Sequence, residues 1–193
     1  MTTRGRFICH KTFTMEIRKA TQNDIEELAA FFIRMNEVIN TRTDSYNPDN
    51  EVYPSREMMA HAIETGGQIV GIEDGIIVMG AIVNHECPEA YNKVKWQVDV
   101  APNEVWILHA FRIAPEYEGR GFAKQTLDYI IKFAAESGIK AIRIDVFDGY
   151  DVEGLYLKFG FKYIDTVEIF YEDIGYPTKF RLLERVINDD NNY

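Results

Sequence analysis

The amino-acid sequence predicts one mixed α/β domain, in which strands and helices follow one another as in an α+β fold. Two observations carry this prediction. Segments of alternating apolar and polar residues, typical of half-buried strands, interchange with segments whose apolar residues recur at helical spacing. The chain has 193 residues, of which 46% are hydrophobic, and this suits one domain with a hydrophobic core. No repeat, low-complexity block or linker divides the sequence.

The first half of the chain predicts a strand, two helices and a hairpin. In order, these are a strand from Met15, a helix over Ile25 to Ile39, a polar loop over 40–54, a helix from Ser55, and hairpin strands at 68–73 and 76–83. Thr21 is the expected N-cap of the first helix, because its side chain can accept a hydrogen bond from a free backbone N–H group. Asp74-Gly75 between the two strands favours a two-residue turn.

The second half predicts strands that alternate with helices. In order, these are a strand at 104–114, a helix at 121–137, a strand at 140–147, a short helix, and strands near 161–171 and 179–186, with residues 85–103 irregular. Gly138 ends the long helix, as a glycine after the last helical residue commonly does. We therefore expect one domain over residues 15–187, with a flexible N-terminal extension over 1–14 and a flexible tail over 188–193.

The charge balance limits the class of partner. Lys and Arg number 21 and Asp and Glu 31, so the net charge is −10, which argues against nucleic acid. This charge is compatible with a cationic amine substrate attracted at long range, although a surface that maintains solubility is the preferred explanation. No apolar run approaches the roughly 20 residues of a membrane span, and Cys9 and Cys87 lack metal-site spacing. We expect a cytoplasmic protein that binds no membrane, nucleic acid or metal.

A turn with two glycines, over residues 118–123, lies between the fourth strand and the long helix. The first N–H groups of a helix have no intrahelical acceptor, and the helix dipole favours an anion there. Glu118-Gly119-Arg120-Gly121 therefore indicates a phosphate-binding turn. An ordinary strand–helix turn and a dinucleotide site remain alternatives at this point, although a dinucleotide site prefers a third glycine.

A second motif narrows these alternatives. Leu155-Tyr156-Leu157-Lys158-Phe159-Gly160-Phe161 ends the short helix and enters a strand. Together with the turn over 118–123, it resembles the GCN5-related N-acetyltransferase (GNAT) superfamily, whose motifs are Gln/Arg-x-x-Gly-x-Gly/Ala and Leu-Tyr-x-Lys-x-Gly-Phe. Ile113-Ala114-Pro115 is similar to the family's Val-x-Pro strand end. The resemblance runs from Met15 to Val186 and points to a bacterial-type member, with a twisted mixed sheet of six to seven strands and about four helices.

The resemblance implies acetyl-CoA as co-substrate. The N–H groups of the turn would hold the pyrophosphate, and the backbone edge of residues 111–113 would pair with the pantetheine arm as an added strand does. The side chains of Arg120 and Lys124 either add positive charge or form a solvated helix face. The expected cofactor-binding residues are Phe111, Arg112, Ile113, Glu118, Gly119, Arg120, Gly121, Phe122, Ala123 and Lys124. In the family, the strands on either side of the helix separate, and free N–H groups there stabilise the oxyanion.

Tyr156 is the first candidate catalytic residue that the resemblance implies. A tyrosine hydroxyl, with a pKa of ~10, can protonate the departing thiolate without being ionised at neutral pH. A buried structural tyrosine is the alternative, since the chain has 11 tyrosines.

His109 is the second candidate, because an amine with a pKa of ~10.4 must lose a proton before it attacks. His109 shares its strand parity with Phe111 and Ile113, so we expect it to face the cofactor cleft. A structural histidine in an apolar strand is the alternative. Glu104 and Asp145 are weaker candidates for the base.

Two positions depart from the family pattern. Glu118 stands where the family has Gln or Arg, which places a negative charge near the expected pyrophosphate. Gly149 stands where the family has an Asn that steadies the pantetheine, with Asp148 and Asp151 beside it.

The expected function is transfer of an acetyl group from acetyl-CoA to a primary amine, by direct attack in a ternary complex. The alternatives are a module of the same fold that binds or senses acyl-CoA without turnover, and a Rossmann nucleotide-binding domain. The acceptor is a small-molecule or peptide amine, and exposed late strands make a homodimer an expected assembly. Polar and aromatic residues that could line the acceptor site are Tyr46, Tyr53, Trp96, Trp106 and Glu172.

Overall fold

A seven-stranded mixed sheet forms the centre of the protein. The computed structural model describes residues 13–42, 52–148, 153–172 and 174–187, called the described residues below. The strands are β1 (Glu16–Lys19), β2 (Gln68–Glu73), β3 (Ile76–Asn84), β4 (Val105–Ile113), β5 (Ala141–Phe147), β6 (Lys162–Phe170) and β7 (Pro177–Val186). Their order is β1-β2-β3-β4-β5-β7-β6, and the pairing is antiparallel except between β4 and β5.

Four α-helices accompany the seven strands in the described part of the chain. They are α1 (Ile25–Arg42), α2 (Arg56–Glu64), α3 (Phe122–Glu136) and α4 (Glu153–Lys158). The region between β3 and β4 has two short 3₁₀ turns, Glu89–Lys93 and Pro102–Glu104, and is otherwise irregular. The predicted mixed fold, the hairpin and the order of the elements are therefore confirmed.

Thr21 is the N-cap of a 3₁₀ turn, Gln22–Asp24, that leads into α1, but its side chain donates a hydrogen bond where acceptance from a backbone N–H group was expected. The backbone N–H and hydroxyl of Thr21 both donate to Oδ2 of Asp24, at 2.6 and 2.8 Å. Arg18 of β1 donates two hydrogen bonds to the same carboxylate, both at 2.8 Å. The Arg18 guanidinium holds the pKa of Asp24 well below its usual range. The ion pair between Arg18 and Asp24 thus connects β1 to the start of α1.

The hydrophobic core has three parts, one on one face of the sheet and two on the other. Side chains of α3 and α4, among them Leu127, Ile130 and Tyr156, pack on the first face. On the opposite face, α1 and α2 cover the half of the sheet near β1 to β3. The segment between β3 and β4, with buried Tyr91, covers the half near β4 to β7. The central strands are therefore buried on both sides.

Strands β4 and β5 pair over only three residues of each. The parallel register runs from Val105 opposite Ala141 to Ile107 opposite Arg143 and ends there. Strand β4 continues to Ile113 and β5 to Phe147. Among the described residues no strand lies between the two beyond this point, so a gap opens in the middle of the sheet. Such a gap leaves backbone edges exposed in an otherwise closed core.

A β-bulge in β4 changes the expected side-chain directions. Ile82 of β3 pairs with His109, and Gly80 pairs with Arg112, so that Ala110 and Phe111 together oppose Ala81. Ala110 has a φ of 49°, in the left-handed region. Since a bulge inserts one residue, it reverses the alternation of the strand beyond it.

The sequence predicted that the side chains of His109, Phe111 and Ile113 lie on the same face of the sheet. The bulge makes this prediction wrong. Phe111 and Ile113 pack with Leu108 on the α3 face of the sheet. The ring of His109 instead contacts Asn84, which lies on the opposite face. The expectation that His109 points into the same side of the cleft as Phe111 is corrected by one extra residue in β4.

Phe13, the first of the described residues, contacts the core and lies two residues before the predicted boundary at Met15. The carbonyl of Phe13 accepts from Nε2 of Gln125 at 2.9 Å, and its ring packs against the α3 side of the core. Several positions singled out from the sequence, namely Cys9, Tyr46, Gly149, Asp151 and residues 188–193, lie outside the described residues. No helix within the described ranges is long and apolar enough to cross a membrane.

Candidate active site

The turn between β4 and α3 presents a row of backbone donors. Within the described residues, the N–H groups of 119–124 donate to no protein acceptor. Gly119 and Gly121 have φ angles of 74° and 81°, which side chains with a Cβ rarely adopt. A Cβ built on either glycine would meet nothing within 4 Å, so the backbone conformation rather than space requires glycine. The turn is therefore shaped to aim free N–H groups outwards at the start of a helix.

Arg120 is directed back onto the protein. Its Nη1 donates to Oε2 of Glu73 at 3.1 Å, and its Nη2 donates to the carbonyl of Glu116 at 3.2 Å. The guanidinium also lies over the rings of Phe13 and Tyr117, at 5.0 and 4.6 Å from the ring centres. Arg120 therefore fixes the turn to the end of β2 and to the N-terminal segment, and Glu73 already balances its charge.

The other two charged side chains of the turn differ from Arg120. Lys124 is exposed and pairs with Asp128 one turn later, at 2.6 Å. This geometry corresponds to the solvated helix face that the sequence left open. Glu118, the departure from the family pattern, is exposed to solvent. Its carboxylate therefore avoids the cost of burial.

Phe111, Arg112 and Ile113 lie beside the gap between β4 and β5. On the other side of β4, Arg112 and Ile113 pair with Gly80 and Met79. On the β5 side, no described strand pairs with any residue of β4 beyond Ile107. The backbone edge that the sequence assigned to a bound ligand is therefore available in the folded chain.

Tyr156 lies in α4 with its side chain buried on the α3 face, and its ring packs edge-on against Phe161 at 5.6 Å. Among the described residues, its hydroxyl has no hydrogen-bond partner. Burial raises the pKa of Tyr156 well above its usual range, while the charge of Arg112 lowers it and that of Asp145 raises it further. The hydroxyl therefore stays protonated and lies within electrostatic range of both strands that border the gap.

His109 is held in one tautomer. Its Nε2 lies 2.9 Å from Oδ1 of Asn84 and 3.1 Å from the carbonyl oxygen of Glu86. Since both partners are acceptors, Nε2 carries the proton and Nδ1 carries the lone pair. Burial lowers the pKa of His109, and the nearby charge of Asp145 opposes this shift only in part. A neutral imidazole with a free Nδ1 is suited to accept a proton.

Asp145, a weaker candidate for the base in the sequence, is held by two tyrosines. Its Oδ1 accepts from the hydroxyl of Tyr91 at 3.3 Å, and its Oδ2 accepts from the hydroxyl of Tyr171 at 2.5 Å. Asp145 follows Arg143 by two residues, so both lie on the sheet face that carries Ile107 and His109. The alternating pattern of β5 could have indicated this face, but only folding brings the two tyrosines to it.

The remaining sequence candidates make the following contacts. Glu104 caps a 3₁₀ turn, where Oε2 accepts from the N–H group of Ala101 at 3.0 Å. Trp106 is buried against Phe133 of α3. Trp96 packs on Tyr91, and the guanidinium of Arg143 lies 4.0 Å from a Trp96 ring centre.

Tyr53 and Glu172 are two further sequence candidates for the acceptor site. Tyr53 packs beside α1 and α2, whereas Glu172 is exposed on the loop between β6 and β7. The described residues contain no group of three or more His, Cys, Asp and Glu side chains that could hold a metal ion.

Comparison with known proteins supports the fold. The model of the acetyltransferase (GNAT) family matches residues 29–161. No curated protein matches the chain significantly. Among solved structures, a GNAT-family acetyltransferase from Streptococcus agalactiae has 24% identity and a TM-score of 0.68, covering 90% of this chain and 96% of its own. The ribosomal-protein-S18-alanine N-acetyltransferase of Escherichia coli has 14% identity and a TM-score of 0.62, covering 93% and 99%.

A third structure was solved with a ligand. N-acetylglutamate synthase from Neisseria gonorrhoeae, in complex with coenzyme A and N-acetyl-glutamate, has 17% identity and a TM-score of 0.60. The match covers 92% of this chain but only 36% of that larger protein. At these identities the structures show the shared fold, and the family model, which spans more than half of the sequence, shows the family. The chain belongs to the GNAT acetyltransferase family.

Proposed function

We propose that the protein transfers the acetyl group of acetyl-CoA to a primary amine, by direct attack in a ternary complex. The observation that carries this proposal is the gap between β4 and β5, which opens beyond Ile107 and Arg143. The gap leads to the glycine turn at the end of β4, and Tyr156 and His109 belong to opposite faces of the sheet around it. Two proton-transferring groups on two sides of one opening suit a reaction between two substrates.

The free N–H groups of 119–124 fit a pyrophosphate. They gather at the N-terminus of α3, where the helix dipole adds positive potential, so an acidic protein can hold a polyanion without a basic patch. The amide-rich pantetheine arm would pair with the edge of residues 111–113. The coenzyme A in the gonococcal structure supports this assignment.

The reaction follows from the positions of the two titratable groups. Nδ1 of His109 takes a proton from the ammonium group, and the neutral amine nitrogen then attacks the thioester carbonyl carbon. The attacking nitrogen gives up its second proton to water as the amide forms, and His109 also returns its proton to water. Free N–H groups in the gap stabilise the oxygen anion that forms. The C–S bond then breaks, and the sulfur takes the proton of the Tyr156 hydroxyl, which recovers one from water. No covalent bond to the protein forms.

The test is release of free thiol from acetyl-CoA in the presence of a panel of primary amines. Tyr156→Phe should lower kcat by about 100-fold or more, since general acids contribute roughly 10²–10⁴-fold, and should leave the Kd of acetyl-CoA unchanged. Tyr129→Phe, which changes a partly buried tyrosine of α3, is the matched control and should keep full activity. Unchanged turnover of Tyr156→Phe across the pH range would refute the acid role.

A module that binds acyl-CoA without turnover would give a different result. It would bind acetyl-CoA but release no thiol with any amine of the panel, in the wild type as well as in the variants. We do not favour it, because the family to which the chain belongs consists of acetyltransferases.

The compartment and the assembly also belong to the proposal. Cysteine usage suits a reducing cytoplasm. The edge strand β6 exposes Tyr163 and ends at exposed Phe170, so a homodimer through this edge is expected. Light scattering of the purified protein tests the assembly, and a monomer at micromolar concentration would contradict it.

A further inference from the structure

Asp145 is a carboxylate that no described cationic side chain neutralises. Its two oxygens accept hydrogen bonds from Tyr91 and Tyr171, and no Lys or Arg of the described residues lies within ion-pair distance. Two other shielded carboxylates of the described residues have such a partner. Glu184 pairs with Arg143 at 2.9 Å, and Asp24 pairs with Arg18 at 2.8 Å. A half-buried carboxylate without a counter-ion costs free energy that a bound cation would recover.

The position of Asp145 places this charge beside the reacting groups. The last pair between β4 and β5 joins Ile107 to Arg143, and Asp145 lies two residues beyond Arg143 in β5. Its side chain is on the sheet face that carries His109. Its charge acts on the ring of His109 and on the hydroxyl of Tyr156. Each carboxylate oxygen can accept more than one hydrogen bond, so the tyrosines do not exhaust its capacity. The tyrosine hydroxyls fix the orientation of the carboxylate, but because they are uncharged they do not neutralise its negative charge.

The two tyrosines that bind this carboxylate belong to groups of packed aromatic rings. The ring of Tyr171 meets that of Phe180 edge-on at 5.2 Å, and Phe147 meets Phe180 at 5.9 Å. Tyr91 packs against Trp96 at 5.2 Å. Aromatic faces attract cations, and a carboxylate set among them is a common chemistry for binding an alkylammonium group.

We propose that Asp145 binds a second positive charge of the acceptor, so that the substrates are diamines and other amines with a cationic group besides the one acetylated. This inference rests on the proposed function. The bound group is not the reacting amine, because the carboxylate would keep that amine protonated and unreactive. The net charge of −10 favours the approach of the same class of substrate.

The experiment compares putrescine and cadaverine with n-butylamine and n-pentylamine, using kcat/KM for acetyl transfer. In the wild type the diamines should be preferred by roughly 10- to 100-fold, the usual worth of a hydrogen bond to a charged group. In Asp145→Asn, which keeps the shape of the side chain, the preference should fall to within about 3-fold. The Kd of acetyl-CoA should not change, which shows that the variant is folded.

Glu168→Gln is the matched control, because it removes one negative charge from an exposed position of the edge strand β6. It should keep the preference for diamines. Equal rates for diamines and monoamines in the wild type would overturn the inference, and so would an equal loss of preference in Glu168→Gln and Asp145→Asn. If no amine of either class is acetylated, the proposed function itself fails, which is a separate result.

Discussion

The Nε2 atom of His109 lies 2.9 Å from the Oδ1 atom of Asn84. This contact joins β4 to β3 across the sheet and keeps the proton of the imidazole away from the gap. It gives the histidine a defined chemical state, because the opposite nitrogen is left with its lone pair. The tautomer of His109 is thus fixed by a residue of β3 rather than by a residue of its own strand, β4.

Replacing His109 tests its proposed role as the general base. His109→Gln keeps a polar side chain but removes the free Nδ1, so kcat/KM should fall by about 100-fold or more. In the wild type, activity should decline only below pH ~6.5, because burial lowers the pKa of His109 below that ordinary value. His85→Gln is the control, since His85 is exposed and donates from Nδ1 to the carbonyl of Val105 at 2.7 Å. Full activity in His109→Gln would contradict the assignment.

The same pKa shift affects stability in a defined direction. The folded protein binds the proton of His109 more weakly than the unfolded chain does. Hence this residue lowers the free energy of unfolding as pH falls below ~6.5 and has no such effect above it. Thermal unfolding of His109→Gln should therefore depend less on pH between about 5 and 6.5 than that of the wild type.

Substitutions of Ala110 test how much the backbone conformation of the β4 bulge costs in stability. Its φ of 49° is costly for a residue with a Cβ, by about 1–2 kcal/mol. Ala110→Gly should remove this cost and lose about 0.8 kcal/mol of methyl burial, so the free energy of unfolding should change little. Ala110→Val should lower it by more than about 2 kcal/mol, since a β-branched residue tolerates positive φ least. Denaturant unfolding measures the free energy for both variants. A value for Ala110→Val equal to that of the wild type would show that the protein does not require a positive φ at residue 110.

Arg120 tests whether its stacking or its charge fixes the glycine turn. Arg120→Lys keeps the charge but loses the ring contacts and the paired hydrogen bonds. The free energy of unfolding should fall by about 1 kcal/mol and the Tm by a few degrees. Lys124→Ala is the control and should change the free energy by less than about 0.5 kcal/mol, because its ion pair with Asp128 is exposed. Wild-type stability in Arg120→Lys would show that the charge alone is sufficient.

Replacing Glu118, which stands where the family has Gln or Arg, tests whether its negative charge weakens the binding of coenzyme A. Glu118→Gln removes a negative charge from the exposed turn, so coenzyme A should bind about 2- to 5-fold more tightly at low ionic strength. The gain should shrink in about 0.5 M salt, where exposed charges are screened. Glu136→Gln, at the far end of α3, should leave the Kd unchanged. A Kd for Glu118→Gln that equals the wild-type value at both salt concentrations would place Glu118 outside the range of the pyrophosphate.

The local elements and the glycine turn could be read from the sequence because they depend on short-range patterns. Asp74-Gly75 specified the hairpin, and the spacing from Ile25 to Ile39 specified α1, since turn geometry and helical periodicity act within a few residues. Gly119 and Gly121 marked the turn because positive φ favours glycine. The direction of His109 could not be read, because a strand alternates regularly until a bulge intervenes.

By itself, the sequence determined the fold class, the family and the turn that presents free N–H groups, all of which are written in contiguous motifs. The tertiary structure decided the rest through contacts between residues far apart in the chain. It turned His109 onto Asn84, engaged Arg120 with Glu73, and brought Tyr91 and Tyr171 to Asp145. The physical reason is that side-chain direction and charge compensation depend on strand pairing and on neighbours that only the folded sheet assembles.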